Sequence, residues 1–505
     1  MSPGKAPYRH SAFRTAVFFL LVLVGWLGIV RVWPDGYHLK VGSMPILTYP
    51  SWSSWWTVPN ETMSGEAAAA LVEEILDTKG TAKPEETKDV GGTAGTDEVG
   101  EARRDVRASP LVADSIPYLF ADSLARAAMS ACFARLRDST ATTPWHVFHF
   151  GDSQIEGDRF TATIRSRMQS TFGGQGPGWL SVGAPSPSFS VNLQTLDLSK
   201  WHRSTRYMTA DSLIHDERYG WMAARCDADS GAAFEIRRHP RCSPAARAWN
   251  HMEMVFDTAS QAMPLQWHNG AGSDWQDTTL LGSKTQLRRM TWFGKATDLP
   301  QEIRLPAGAS RLLHVGMWTD SAAGVIVHNV PMRGSSGTLF TRLDRDVLAD
   351  QIRHTSPALV FLQFGGNAVP YLQSNEAAQR YSRWFSANLR RIKSLMPEAV
   401  FVVIANADMS ENVEGQWRTK AMVKPMRDAL RDAAMAEHAV FFDLFEAMGG
   451  ENSMPGWVAA EPQLAASDHV HFTRRGAGAL AEMLMNALMQ LDPTSTNLTA
   501  DGIGH

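Results

Sequence analysis

Residues 147–174 read VFHFGDSQIEGDRFTATIRSRMQSTFGG, and this stretch decides the fold. Val147 to Phe150 is a short apolar run that stops at Gly151, the pattern of a buried strand. Beyond it Phe160, Ile164, Met168 and Phe172 recur every four residues until Gly173-Gly174, the pattern of an amphipathic helix with a glycine stop. A strand, a tight turn and a helix in that order place Ser153 at the carboxyl edge of a sheet, where open α/β sheets bind ligands. The helix start adds unpaired backbone N–H groups that can hold a developing oxyanion. Taken alone, Gly151-Asp152-Ser153 is only a turn signal.

Upstream, Tyr118, Leu119 and Leu124 open a helical stretch that ends near Arg137. Downstream, the alternation of strands and helices returns only after residue 324. Val325–Val330, Leu359–Phe364, Val400–Ile404 and Val440–Phe442 read as strands. Tyr381, Phe385, Ile392 and Leu395 mark a helix, Pro425–Glu437 a second and Ala477–Leu491 a last. Near-continuous apolar strands alternating with helices predict a parallel sheet covered on both faces. Residues 176–322 differ: Gly, Ser, Pro and Trp are frequent and no long helical period runs through them. They read as a β-rich domain inserted into a loop of the α/β domain. Eight of the 17 tryptophans fall between Trp179 and Trp318. Most of these rings are expected to fill the insert's core, with one or two free to stack on a sugar.

At the N-terminus, Ala16–Val30 (AVFFLLVLVGWLGIV) carries no charge, and Lys5, Arg9 and Arg14 precede it. These flanks predict a transmembrane anchor with its tip in the cytoplasm and the rest exported; a cleaved signal is the alternative. Trp52, Trp55 and Trp56 suit either the bilayer surface or the soluble body. Ala67–Asp77 reads as a short helix, and residues 84–108 hold too few large apolar side chains to order themselves, which makes them a tether. The expected organisation is an anchor over 1–33, a periplasmic, partly disordered linker over 34–110, an α/β domain over 111–175 and 323–492, the insert over 176–322, and a flexible tail over 493–505.

The chain has 505 residues, 44% hydrophobic and 20% charged, with a net charge of −4 and no long basic cluster. That excludes collagen-like and coiled-coil chains and argues against a nucleic-acid partner. Three cysteines, Cys132, Cys226 and Cys242, exclude a disulfide scaffold. In an oxidising compartment Cys226 and Cys242 are a possible pair.

Three further elements carry chemistry. Asp468-His469-Val470-His471 precedes the last helix, and a His beside a carboxylate is suited to act as general base toward a Ser hydroxyl. Arg333-Gly334-Ser335-Ser336-Gly337 follows the strand at 325–330, and Gly365-Gly366-Asn367 follows the strand at 359–364. Both place a small residue or an amide where the first strand placed Ser153. The Ser153 N–H, the Gly337 N–H and the Asn367 amide are candidate donors to one oxygen. His469 and His471 lack a third metal ligand, so no metal is expected. His146 and His149 fall on opposite faces of one strand. Asp408-Met409-Ser410 reads as loop capping.

The four blocks GDS, RGSSG, GGN and DxxH, in this order, resemble those of the SGNH (GDSL) hydrolase superfamily. The resemblance assigns Ser153, Gly337, Asn367 and His471 to its namesake positions, with Asp468 completing the triad and Gly334 the competitor of Gly337. It implies a flavodoxin-like three-layer α/β/α domain, a Ser-His-Asp mechanism, and no cofactor or metal. The stretch GDSQIEGDRFTATIRSRMQSTFGGQGPG is similar to the opening of bacterial envelope members related to peptidoglycan O-acetylesterases. Those members carry a β-sandwich between the Ser and Gly blocks, and here 184 residues separate Ser153 from Gly337. Gln154 departs from the subgroup, which has His there.

The resulting expectation is an inner-membrane, periplasm-facing serine esterase that removes acyl, chiefly acetyl, groups from an envelope polysaccharide or peptidoglycan. Two rivals stand beside it. One is an acyltransferase that works with a membrane-bound O-acyltransferase partner, and the other is a non-catalytic glycan-binding protein.

Overall fold

The computed structural model describes residues 38–41, 44–48 and 116–494, apart from short internal stretches at 185–190, 208–215, 240–241, 271–272, 296–298, 307–309 and 321–322. The chain divides into two units, Met1–Ser64 and Gly65–His505. In the first, the described residues form an antiparallel pair, His38–Val41 with Met44–Thr48. The expected anchor, the helix over Ala67–Asp77 and the tether lie outside the described residues, as does the tail beyond residue 494. No helix among the described residues is long and apolar enough to cross a membrane.

The second unit is built on a six-stranded sheet. Its strands are β1 (Leu119–Phe120), β2 (Trp145–Gly151), β3 (Val325–Pro331), β4 (Pro357–Gln363), β5 (Val400–Ile404) and β6 (Val440–Phe442). They lie in the order β3-β2-β4-β5-β6-β1. The five strands from β2 to β6 run parallel, and the two-residue β1 closes the edge antiparallel to β6. Counted from β2, that order is 2-1-3-4-5, the flavodoxin-like arrangement, with its reversal point at β2. Because the strands are buried on both faces, Phe148, Phe150, Val360, Phe361, Val402 and Val403 are all core residues whichever face they point to.

Helices α1 (Ser123–Leu136), α2 (Thr161–Phe172), α3 (Arg345–Ile352), α4 (Asn375–Leu395), α5 (Val423–Ala436) and α6 (Arg474–Met489) cover the sheet. Phe133 of α1 stacks on Phe172 of α2, with ring centroids 5.8 Å apart. The predicted strands and helices α2, α5 and α6 are present with ends moved by one to three residues, whereas Tyr118 and Leu119, read as opening a helix, precede it, Leu119 lying in β1 and α1 beginning at Ser123; α5 begins two residues before Pro425 because proline is tolerated in a first turn. The helix α3 and the short helix Met454–Ala459 carry no long apolar period and were not predicted.

Between α2 and β3 lie two further antiparallel sheets. One pairs Arg288–Phe293, His251–Phe256, Ser310–Trp318, Ala224–Ala228 and Trp201–Thr205 in that order, with Gly178–Leu180 added against Ser310–Trp318. The other runs Gln276–Leu280, Met263–His268, Glu302–Leu305, Ala232–Arg238, Val191–Thr195. Alternate residues of both, among them Met252, Met254, Val315, Phe234, Leu265 and Ile303, share one buried cluster, so the sheets pack face to face.

Trp201 and Trp249 fill the insert's core as expected, with Trp267 and Trp292 packed against it, and Trp275 is exposed, but three rings depart from the expectation. Trp179, Trp221 and Trp318 are buried in the core of the central sheet rather than in the insert's own core. The Trp221 indole N–H donates to Leu348 O of α3 at 2.8 Å. These rings seat the inserted sheets on the α/β body. Beside them Arg218 joins Asp257 of the insert (2.7 Å) to Asp344, the cap of α3 (3.0 Å). Cys132, Cys226 and Cys242 are separate buried thiols.

Candidate active site

Four strand ends finish level with one another. Gly151 lies opposite Pro331 on one side and Gln363 on the other, and Gln363 lies opposite Ile404. The blocks that carry Ser153, Gly337 and Asn367 leave the sheet at that edge, and Asp468–His471 comes to it in the loop before α6. Ser153 does not open an α-helix directly. It starts a short 3-10 segment, Ser153–Asp158, capped by Asp152, whose Oδ1 accepts the Gln154 N–H at 2.9 Å. The Ser153 N–H thus lies at the first position of a helical turn and has no acceptor among the described residues.

The structure brings Ser153, His471 and Asp468 together. His471 Nε2 is 2.8 Å from Ser153 Oγ, and His471 Nδ1 is 2.7 Å from Asp468 Oδ2. The Asp468 carboxyl is held at about 2. Burial opposes ionisation there, but the bonds from the His471 ring and from the His471 and Val470 N–H groups outweigh it. An ionised Asp468 is an acceptor only, so the His471 proton sits on Nδ1. That leaves the Nε2 lone pair facing the Ser153 hydroxyl, the protonation state a general base requires. His471 and Asp468 keep 31% and 35% of their side chains exposed, so water reaches the pair.

The two remaining candidates occupy the neighbouring corner. Gly337 has φ +74°, and a Cβ there would sit 2.6 Å from the Phe364 ring, so only glycine fits. Its N–H donates to Ser335 Oγ at 3.1 Å. Asn367 Nδ2 donates to Asp152 Oδ2 and to Ser335 O, both at 3.2 Å. Both donors are therefore engaged in the free protein, by bonds at the long end of the normal range. An anion held by these two donors would have to displace those partners. Asp152, which links Asn367 to the start of the Ser153 turn, is fully enclosed, and burial lifts its carboxyl to about 6. The Tyr381 hydroxyl, from α4, donates to Ser336 O and pins the glycine-bearing loop from below.

Gln154, noted in sequence only as a departure, spans the loop that carries His471. Its Nε2 donates to Val470 O at 2.7 Å, and its Oε1 accepts the Phe472 N–H at 3.4 Å. A side chain with one donor and one acceptor thus brackets His471 on both flanks, a role visible only once the two loops meet. Asp408 Oδ2 accepts the Met454 N–H at 2.9 Å, capping the short helix there. His146 pairs with His328 and His149 with Gln363, and neither ring contacts Ser153 by a hydrogen bond. No cluster of His, Cys, Asp or Glu among the described residues is arranged to hold a metal ion.

Residues 308–479, about a third of the chain, match the GDSL-like lipase/acylhydrolase family. The match takes in Gly337, Asn367, Asp468 and His471 but starts beyond Ser153, which the insert removes from them in sequence. Among solved structures, the chain is similar to one of a peptidoglycan O-acetylesterase, at 19% identity and a TM-score of 0.57, covering 74% of this chain and 99% of that one. An acetyl xylan esterase matches 32% of this chain and 81% of its own at 15% identity, with a TM-score of 0.26. A family two carbohydrate esterase from Cellvibrio japonicus matches 60% of this chain and 98% of its own at 11% identity, with a TM-score of 0.21. The likeness of fold rests on the first of these. No curated protein matches the chain.

Proposed function

We propose that the protein is a serine-dependent carbohydrate O-acyl esterase that removes acetyl groups from a cell-envelope glycan. The observation that carries this reading is the continuous relay Ser153 Oγ–His471–Asp468, with contacts of 2.8 and 2.7 Å, at the carboxyl edge of the sheet. In the proposed reaction, Ser153 Oγ attacks the ester carbonyl as its proton passes to His471 Nε2. The tetrahedral oxyanion takes hydrogen bonds from the Ser153 and Gly337 N–H groups and the Asn367 amide. The bond from carbon to the sugar oxygen then breaks, and His471 returns the proton to that oxygen. Water, deprotonated by His471, attacks the acyl-Ser153, and acetate leaves as Ser153 recovers its proton. Asp468 stays ionised and orients the ring throughout. No step calls for a metal or an organic cofactor.

The glycan assignment draws on the resemblance to envelope esterases and on the solved peptidoglycan O-acetylesterase of similar fold. The basic-flanked apolar run at 16–30 supports anchoring in the inner membrane with the site in the periplasm. The test is acetate release from 4-nitrophenyl acetate and from O-acetylated peptidoglycan fragments, with Ser153→Ala as control. Loss of at least about 10⁴-fold with an unchanged fold is expected. Full activity in that variant overturns the mechanism. Acetyl moved between sugars, with no acetate released, identifies a transferase. Failure of a fluorophosphonate to label Ser153 points to a binding protein.

A further inference from the structure

Between β5 and α5 the chain makes a hairpin, Ser410–Val413 paired with Gln416–Thr419. It turns through Glu414-Gly415, whose φ values of 52° and 84° suit a tight two-residue loop. Every residue from Glu411 to Arg418 is exposed, so the hairpin adds nothing to the core. Its base is nonetheless firmly held. Lys420 N–H donates to Met409 O at 2.8 Å, and Thr419 and Asn452 exchange two hydrogen bonds of 2.9 and 2.6 Å. Ser410 N–H donates to His469 O at 3.2 Å, which ties the hairpin to the loop carrying Asp468 and His471.

Trp417 lies flat on His469, with ring centroids 3.6 Å apart and planes 12° from parallel. His469 is 7% exposed, has φ +57°, and sits between the two members of the acid–base pair. The indole is thus a wall of the same loop that positions His471. Yet Trp417 remains 41% exposed. One face is covered by the imidazole, and the rest of a large apolar ring stands in water at the rim of the site. An indole face is electron-rich, and the C–H bonds on one face of a pyranose are apolar and carry slight positive charge, so the two surfaces complement each other.

We infer that Trp417 is a sugar-stacking subsite that holds a ring of the glycan next to the one whose ester reaches Ser153. The inference rests on the reading of the substrate as an acylated glycan, and it places recognition on the α/β body rather than on the tryptophan-rich insert. A stacking contact of this kind is expected to give about tenfold in affinity, equivalent to about 1.4 kcal/mol.

Two measurements test it. In the first, Trp417→Ala and Trp417→Phe are compared with wild type on O-acetylated peptidoglycan fragments and on 4-nitrophenyl acetate. The expected result is a KM for the fragments raised about tenfold by Ala and about twofold by Phe. The ratio of kcat/KM between fragments and aryl ester then falls at least fivefold for Ala. Equal proportional losses on the two substrates make Trp417 only a brace for His469 and overturn the subsite. In the second, calorimetric titration of the same fragments into Ser153→Ala and into Ser153→Ala/Trp417→Ala needs no turnover. A Kd raised about tenfold in the double variant supports the subsite, and an equal Kd overturns it. Absence of hydrolysis by wild type on both substrates, with the Kd difference intact, removes the esterase reading and leaves the subsite standing.

Discussion

The molecule holds two histidine constellations that obey opposite rules. At the sheet edge, His471 is part exposed, donates to an ionised Asp468 and faces a serine hydroxyl. Where the inserted sheets meet the central one, His146, His328 and His314 are sealed from water. There the backbone N–H of Trp179 donates to His328 Nδ1 at 3.1 Å, so the His328 proton sits on Nε2 and donates to His146 Nδ1 at 2.8 Å. His314 donates through Nε2 to Glu253 Oε1 at 2.9 Å and accepts from Gln351 at 2.8 Å. Trp179 stacks on His314 with ring centroids 4.1 Å apart. Burial pushes all three rings below the usual histidine range, His146 to about 4, even though Glu253 pulls the other way on His146 and His314. Glu253 resists its own burial through His314 and Arg289 and stays ionised down to about 2. The same side chain is thus suited to proton transfer where water and a carboxylate are present, and serves as a neutral packing and hydrogen-bonding unit where water is excluded.

The sharpest way to break this contrast is at the exposed constellation. Asp468→Asn should lower kcat on an aryl acetate by about 10³- to 10⁴-fold while leaving the melting temperature nearly unchanged, because it removes the carboxylate that fixes the His471 tautomer. A loss under tenfold would show that His471 needs no orienting partner. At the buried constellation the effect should fall on stability. Trp179→Ala removes a ring that is 1% exposed, and about 3–5 kcal/mol should be lost in denaturant unfolding. Trp275→Ala, at 37% exposure, should lose far less. Equal losses would contradict the seating role given to Trp179.

Acid separates the two constellations next. The buried rings have folded-state values below the ordinary 6.5, so the unfolded chain binds more protons in the interval between. Their contribution is complete above about pH 6.5 and is lost as pH falls toward 4, the value for His146. The melting temperature should drop across that interval, and His328→Asn should flatten the drop. An unchanged slope in that variant would assign the acid sensitivity elsewhere. The smallest effect is expected at the clamp on the His471 loop. Gln154→Ala should cost roughly tenfold in kcat with KM little changed, since only the positioning of His471 is loosened. Gln154→His, able to supply one donor and one acceptor, should recover part of it. Full activity in Gln154→Ala would leave the bracket without a catalytic role.

Much of the architecture was legible because it is written locally. An apolar run of strand length, glycines at the turns and a four-residue helical period survive any tertiary setting, and they announced β2 to β6, α2, α4, α5 and α6. Three of the site blocks were legible for the same reason, since those of Ser153, Gly337 and Asn367 each follow a strand at one edge of the sheet, and the fourth because Asp468 and His471 lie three positions apart before a helix. Residues whose meaning depends on a distant partner were not. Gln154 reads as a turn residue until Val470 and Phe472 come within reach. Trp417 sits in a short polar stretch whose hairpin signal is a single Gly415.

By itself, then, the sequence determined the order of the elements, the sheet edge that carries the chemistry and the residue types available there, because period and spacing are properties of the chain alone. Only the tertiary structure decided which histidine faces a carboxylate in water and which is sealed against tryptophan. It alone also decided that Trp179, Trp221 and Trp318 seat the insert instead of filling it. The first outcome depends on burial, because Asp468 lies only three positions from His471, and the second on contacts between residues more than a hundred positions apart. Burial sets the cost of a charge, and contact supplies the partner that offsets it.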